Sequence, residues 1–417
     1  MRTKAGRPPW WAAGLVLCLV LVAAVGSVIG VRSLVRDDYV ASPQQRAGTV
    51  ADPTGAARTL ADWVTALATG DPAAAVRLAR EGDAAAADLL AATARNAAGI
   101  GVAGLSARYV DELGAVSESG RWQAAVELTW RLTGHDDQMA STEIAVGFAA
   151  TENGVAISGI DRSQRRVPLW LAGPLEVRRA GATLVLTTGG PTVADRYARL
   201  MPAAVRTVRR VLPDWDGRLV LEVPADGDQL AAALDARSGQ YAAVAAVTAS
   251  VDGSSARTAP VHVFVNPVVM GRLEPAGMRI VLAHEATHLA TGAATNPRLP
   301  LWLAEGFADY VALRDVRLPL TTTAGQLIER VRKQGLPERL PGPEEFDARS
   351  GGFGAEYEAA WLACRLLAAR SGEAALVRIY DRVGDGADLD ATLREETGLG
   401  LAGLTRAWRQ HLADVAS

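Results

Sequence analysis

The chain has 417 residues, which at about 150 per domain sets an expectation of two to three folded units and excludes a single small module. Its 43 basic residues, 46 acidic residues and 5 histidines sum to −3, too balanced for a protein that wraps nucleic acid. At 49% hydrophobic and 21% charged, the chain has the make-up of ordinary globular cores rather than of a disordered polymer.

The first feature along the chain is an uncharged run from Pro8 to Val31. As a helix rising 1.5 Å per residue, a run of that length spans the roughly 30 Å hydrocarbon core of a bilayer. Arg2, Lys4 and Arg7 precede it, and Arg32 and Arg36 are followed at once by Asp37 and Asp38. The bias is slight, but it favours a cytoplasmic N-terminus with the remainder of the chain outside. Those five basic residues all precede the first acid, so the chain from Asp37 onward carries −8 against the total of −3. The alternative is a cleaved signal peptide with Ala24-Val25-Gly26 at the cleavage site, although the apolar run exceeds the usual signal core. Cys18 lies inside this run and Cys364 far from it, so disulfides do not organise the protein.

Residues 1–36 therefore read as a cytoplasmic tip and anchor, and residues 37–54, with Pro43, Gly48 and Pro53, as a linker. From Ala56, apolar positions such as Leu60, Trp63, Val64 and Leu67 recur at helical spacing, and Gly70-Asp71-Pro72 marks a stop and restart. Farther on, Val126, Leu128, Trp130 and Leu132 alternate with polar residues, as do Ile144, Val146 and Phe148, and Asn153-Gly154 supplies a hairpin turn. Helices followed by a curved antiparallel sheet, opening with Trp63 and Ala68-Thr69-Gly70-Asp71, loosely resemble the NTF2-like superfamily, which implies a small α+β accessory domain over residues 55–163.

After Asp161–Pro168, which holds Arg162, Arg165 and Arg166, a second unit over residues 168–417 begins. Its pattern predicts strands at Thr183–Thr188, Arg218–Val223 and Val261–Val265, a long helix at Val193–Val211, and mostly helix thereafter. The whole is an α+β chain.

The chemistry concentrates in His284-Glu285-Ala286-Thr287-His288, an H-E-x-x-H pattern in a stretch free of Pro and Gly after Gly277. Four residues at about 100° each bring His288 to within roughly 40° of His284 on one helix face, where two imidazoles can converge on an ion. Glu285 projects beside them. Alone, the pattern fixes only three identities and also occurs on surface helices. A second block, Pro300-Leu301-Trp302-Leu303-Ala304-Glu305-Gly306-Phe307-Ala308-Asp309-Tyr310, places Glu305 seventeen positions beyond His288. Thr291-Gly292 and Asn296-Pro297 between them supply the turn chemistry for a second helix to fold back and offer Glu305 as a third ligand. Asp309, one turn after Glu305, is placed to accept the other N–H of a metal-bound imidazole. Taken singly, Glu305 also suits a helix N-terminal turn and Asp309 a solvated face.

Together the two blocks resemble the gluzincin zinc metallopeptidases, in particular the peptidase MA-like families, whose pattern is H-E-x-x-H followed by W-L-x-E-G-x-A-[DE]-Y. The resemblance implies zinc held by His284, His288 and Glu305, Glu285 as general base, Asp309 behind a ligand, and a mostly helical domain with a small sheet. The sixteen-residue spacer is slightly shorter than in the best-known gluzincins. Relatives use a Tyr or His from the following helical half to meet the developing oxyanion, which makes Tyr357 the candidate here; a helix aromatic packed beside Trp361 is the alternative. Val261–Val265 resembles the gluzincin edge strand, along which an extended substrate pairs.

His262 reads as structural, His135 as a loop residue and His411 as a surface residue. Two G-x-G-x-x-G matches, Gly99–Gly104 and Gly398–Gly403, follow helical stretches rather than strands and are set aside as nucleotide sites. Cys364, in an apolar helical stretch, reads as core. The expectation is a membrane-anchored, extracytoplasmic zinc-dependent peptidase acting on peptides or proteins, without nucleic acid. The Ala/Gly/Arg bias, with Lys4 and Lys333 the only lysines, is that of a GC-rich bacterial genome such as an actinobacterial one. The alternative is a catalytically silent envelope protein of the same fold that binds peptides or protein partners.

Overall fold

The computed structural model describes residues 50–163, 165–346 and 354–417. The expected anchor and most of the linker lie outside the described residues, among which no helix is long and apolar enough to cross a membrane.

Helix α1 (Pro53–Thr69) begins inside the stretch expected to be linker, because the Asp52 carboxylate accepts from Gly55 N at 2.8 Å and Pro53 occupies the first turn. Gly70, at φ +63°, closes it in the left-handed region, and Asp71 caps α2 (Pro72–Val76), so Gly-Asp-Pro both stops one helix and starts the next. After α3 (Ala84–Ile100) come four antiparallel strands in chain order, β1 (Val102–Leu113), β2 (Arg121–Leu132), β3 (Ala140–Thr151) and β4 (Gly154–Asp161). On β2, Val126, Leu128, Trp130 and Leu132 are buried while Glu127, Thr129 and Arg131 are partly exposed, the expected alternation. The pattern did not announce β1, because its inward residues Leu105, Ala107 and Tyr109 are only half-buried at the sheet edge.

The second sheet is built from β5 (Glu176–Ala180), β6 (Thr183–Thr187), β7 (Leu219–Val223), β8 (Ala246–Ser250) and β9 (Val261–Val265), with α4 (Pro191–Val211) crossing from β6 to β7 and α5 (Gly227–Leu234) following β7. The order is β5-β6-β7-β9-β8; β6, β7 and β9 run parallel, and the outer strands are antiparallel to their neighbours. One expectation is corrected here: Val261–Val265 is an interior strand, and β8 is the edge. The reason lies in composition, since Ala-Val-Thr-Ala-Ser is held as a strand by its neighbours and by burial rather than by its own propensity.

Helices then form the remainder: α6 (Pro267–Met270), α7 (Pro275–Thr291), α8 (Leu301–Leu313), α9 (Leu320–Thr323), α10 (Gly325–Gln334), α11 (Gly354–Ser371), α12 (Glu373–Gly384), α13 (Leu389–Thr397) and α14 (Leu401–Ala416).

Strands β6 and β7 are buried at every position, because each face of this sheet covers a different core. Val185, Leu221, Val263 and Val265 pack with α4 and α7. Leu184, Leu186, Val220 and Phe264 on the other face join Trp130, Leu132 and Trp170, so one apolar cluster continues from the first sheet into the second. Inside that join lies a polar bridge. His262 on β9 contacts Glu222 on β7 through Nδ1 at 2.6 Å, and through Nε2 contacts Asp136, from the β2–β3 connection, at 3.1 Å. Burial alone would lower the His262 pKa, but the carboxylates on either side raise it to about 9.

Because folding raises this pKa from an ordinary value of 6.5, the bridge stabilises fully below about pH 6.5 and its contribution is lost as pH climbs through about 9. Urea unfolding between those limits should therefore show stability falling with pH, and His262→Gln should remove most of that slope. An undiminished slope in the variant would assign the pH dependence to other groups.

Candidate metal centre and its surroundings

Helix α7 carries the first block. Pro275 opens it and Gly292, at φ +65°, ends it. From Met278 to His288 every residue but Arg279 is buried, which explains why the segment shows no amphipathic stripe: it is enclosed on nearly all sides. The connection turns through a short 3₁₀ stretch, Ala293–Thr295, and is anchored by Asn296, whose Nδ2 donates to the Gly384 carbonyl at 3.0 Å. This returns the chain so that α8, entered at Pro300, lies against α7 with Glu305 facing the two imidazoles.

The three expected ligand atoms converge. His284 Nε2 and His288 Nε2 are 3.0 Å apart, and each is 3.3 Å from Glu305 Oε2. Two metal bonds of zinc length at a tetrahedral angle separate their donor atoms by about 3.3 Å, so this triangle has the dimensions of one face of a tetrahedral site. His284, His288 and Glu305 are each at most 1% exposed, and neither oxygen of Glu305 has a conventional hydrogen-bond partner among the described residues. This buried cluster of two imidazoles and a carboxylate could hold a cation, which would offset the cost of burying them. The donor set, two imidazoles and one carboxylate, fits zinc with a position left for water.

Asp309 stands one turn beyond Glu305, and its Oδ1 is 2.7 Å from His284 Nδ1. An Nδ1–H donated to that carboxylate leaves the Nε2 lone pair facing the other ligands, so Asp309 sets the tautomer. Glu285 follows His284 on α7, about 100° round the helix. Its Oε2 accepts a 2.7 Å hydrogen bond from Thr248 Oγ1 on β8, and its Oε1 is buried without a partner among the described residues. Burial is the main influence on this carboxyl and raises its pKa. Glu305 moves the other way: burial would raise it, but His288 and His284 hold it below its ordinary value. Tyr357 lies on α11, buried, with its ring edge-on to Phe346 at 5.1 Å between centroids. Sequence reasoning did not single out Thr248, since a threonine in an Ala-rich stretch carries no spacing signal.

Gly306, inside the second block, has a packing reason to be glycine. A Cβ there would lie 2.3 Å from the Ala360 carbonyl oxygen and 2.9 Å from Cys364 Sγ, so α8 and α11 meet backbone to backbone beside Glu305. Cys364 is core, as expected, and Trp408 Nε1 donates to the Ala359 carbonyl at 3.1 Å on the same helix.

No family model matches the chain, and no curated protein matches it. Among solved structures the chain is similar to an M1 zinc metallopeptidase from Deinococcus radiodurans, determined as a glutamate-to-alanine mutant bound to a Tyr-Ser-Ala substrate. The two are 16% identical with a TM-score of 0.30, and the match covers 72% of this chain and 61% of that one.

Two substitutions probe the construction. His288→Ala leaves two protein donors and should abolish stoichiometric zinc binding as read by metal analysis, while the purified protein remains folded by circular dichroism; retained zinc would exclude His288 as a ligand. Gly306→Ala should destabilise by roughly 1–3 kcal/mol or more through overpacking against Ala360, visible as a lowered melting temperature. An unchanged melt would show that α8 and α11 separate without strain.

Proposed function

We propose that this protein is a membrane-anchored, extracytoplasmic, zinc-dependent peptidase. The observation that supports the reading most directly is the triangle of His284 Nε2, His288 Nε2 and Glu305 Oε2, with a carboxylate that is not a ligand, Glu285, beside it. Zinc bound there would polarise a substrate carbonyl and lower the pKa of water toward about 7.

The chain's own residues supply the rest. Glu285 Oε1 removes the proton of the attacking water and delivers it to the leaving amine, a task suited to a carboxyl whose pKa burial has raised. Asp309 keeps His284 in the tautomer that presents Nε2. Tyr357 is the proposed donor to the oxyanion, supported by its place on α11, the helix that packs against the glutamate-bearing α8. The anchor rests on the uncharged run at residues 8–31 and its flanking charges, and peptides or proteins outside the cytoplasm are the proposed substrates.

A second reading, a catalytically silent protein that binds peptides, draws on the enclosure of the centre, where His284, Glu285 and Glu305 are 0% exposed. The two part on one experiment, cleavage of a peptide library by wild type and Glu285→Gln at matched zinc occupancy. The peptidase reading expects the variant to keep its zinc and lose at least ~100-fold in rate. Equal cleavage by both would refute Glu285 as base; no cleavage by either across a broad library would favour the binding protein.

A further inference from the structure

Glu285 has two carboxylate oxygens in different situations. Oε2 lies 2.7 Å from Thr248 Oγ1, and that same hydroxyl is 3.1 Å from the Glu285 main-chain oxygen. A hydroxyl has one proton to give, and the shorter contact identifies the carboxylate as its acceptor. Oε1, in contrast, is buried and has no partner among the described residues. Thr248 is itself 3% exposed and sits on the edge strand β8, in register with Val263, on the face turned to α7. The hydroxyl thus holds the Glu285 carboxylate from β8, tying the side chain of the motif helix to the edge strand beside it.

Such a tether answers a definite physical problem. Glu285 stands one residue from His284 in the buried interior, and a carboxylate with several free torsions near a cation held by two imidazoles is drawn in as a further ligand. Once coordinated, it would no longer be available as a base. Its donor atoms are absent from the convergent group formed by His284, His288 and Glu305. The only described side chain that hydrogen-bonds to it on the other side is Thr248.

Resting on the peptidase reading, we propose that Thr248 is a positioning residue: by holding Oε2 it fixes the Glu285 rotamer, keeps that carboxylate out of the ligand set, and leaves Oε1 as the oxygen that takes the proton from the attacking water. In this role Thr248 acts through Glu285, the group its hydroxyl holds.

The test uses the full-length, zinc-loaded protein and the best-cleaved peptide from the library. Thr248→Val, nearly the same in shape, should retain zinc and melting temperature while kcat falls about 10- to 100-fold, the range for a misplaced catalytic group. KM should stay within about threefold, because ground-state binding is untouched. Thr248→Ser, which keeps the hydroxyl, should recover most of kcat. Wild-type kcat in Thr248→Val, or equal loss in the valine and serine variants, would overturn the proposal. If valine disrupts the sheet, Thr248→Ser and Thr248→Ala differ only by the hydroxyl and provide the same comparison, with equal kcat in the two overturning it. A wild type that cleaves nothing would overturn the peptidase reading and this role with it; an active wild type matched by Thr248→Val would overturn the role of Thr248 alone.

Discussion

Two imidazole nitrogens and a carboxylate oxygen stand within 3.3 Å of one another in the buried interior, and much of the helical half is arranged to hold them there. Polar groups so placed destabilise a fold unless they are paired or coordinated. The local answer is layered. Asp309 satisfies the outer nitrogen of His284 at 2.7 Å, α8 brings Glu305 to the inner ones, and Gly306 lets α11 approach closely enough to seal the far side. The same glycine that carries no chemistry is what allows the carboxylate next to it to be enclosed.

The second sheet ties this centre to the rest of the molecule. One of its faces covers α7 through Val263 and Val265, and the other merges with the core that includes Trp130 and Trp170. Adjacent residues on one strand therefore serve opposite sides: Val263 faces the motif helix, while His262 and Phe264 face the N-terminal unit, where His262 meets Asp136. The surface between the two units combines this apolar centre with the buried His262 bridge and with polar contacts around it, among them the Arg218–Asp137 ion pair at 3.0 Å and the Asn96 Nδ2 hydrogen bond to the Trp170 carbonyl at 2.8 Å. The N-terminal unit is consequently built against the wall on which the motif helix rests.

Local signals survived into the structure wherever a residue's role depends on its near neighbours. Gly70-Asp71-Pro72 ends one helix and caps the next through hydrogen bonds two to four residues away. The alternation on β2 reports one buried face, and the i, i+4 spacing of His284 and His288 places both on one side of a helix by geometry alone. Where a strand depends on partners far along the chain, the signal failed. Strand β1 lies at an edge with half-buried inward residues, and β8 is an Ala-rich segment held by β9 and α7. With β8 silent in the sequence, the resemblance to the gluzincin edge strand has nothing to set against it at Val261–Val265.

The candidate ligands His284, His288 and Glu305, with Asp309 behind them, are legible in the chain because helical periodicity and the turn residues between the two blocks permit a return. Packing between distant segments decided that the return brings Glu305 Oε2 to 3.3 Å from both imidazoles, that Asp309 meets His284, and that Thr248 reaches Glu285 from a strand 37 positions earlier. It likewise decided that His262 is bracketed by Asp136 and Glu222. The physical reason is common to all of these: hydrogen bonds and coordination depend on distances of about 3 Å, and packing sets such distances between residues whose separation along the chain carries no information about them.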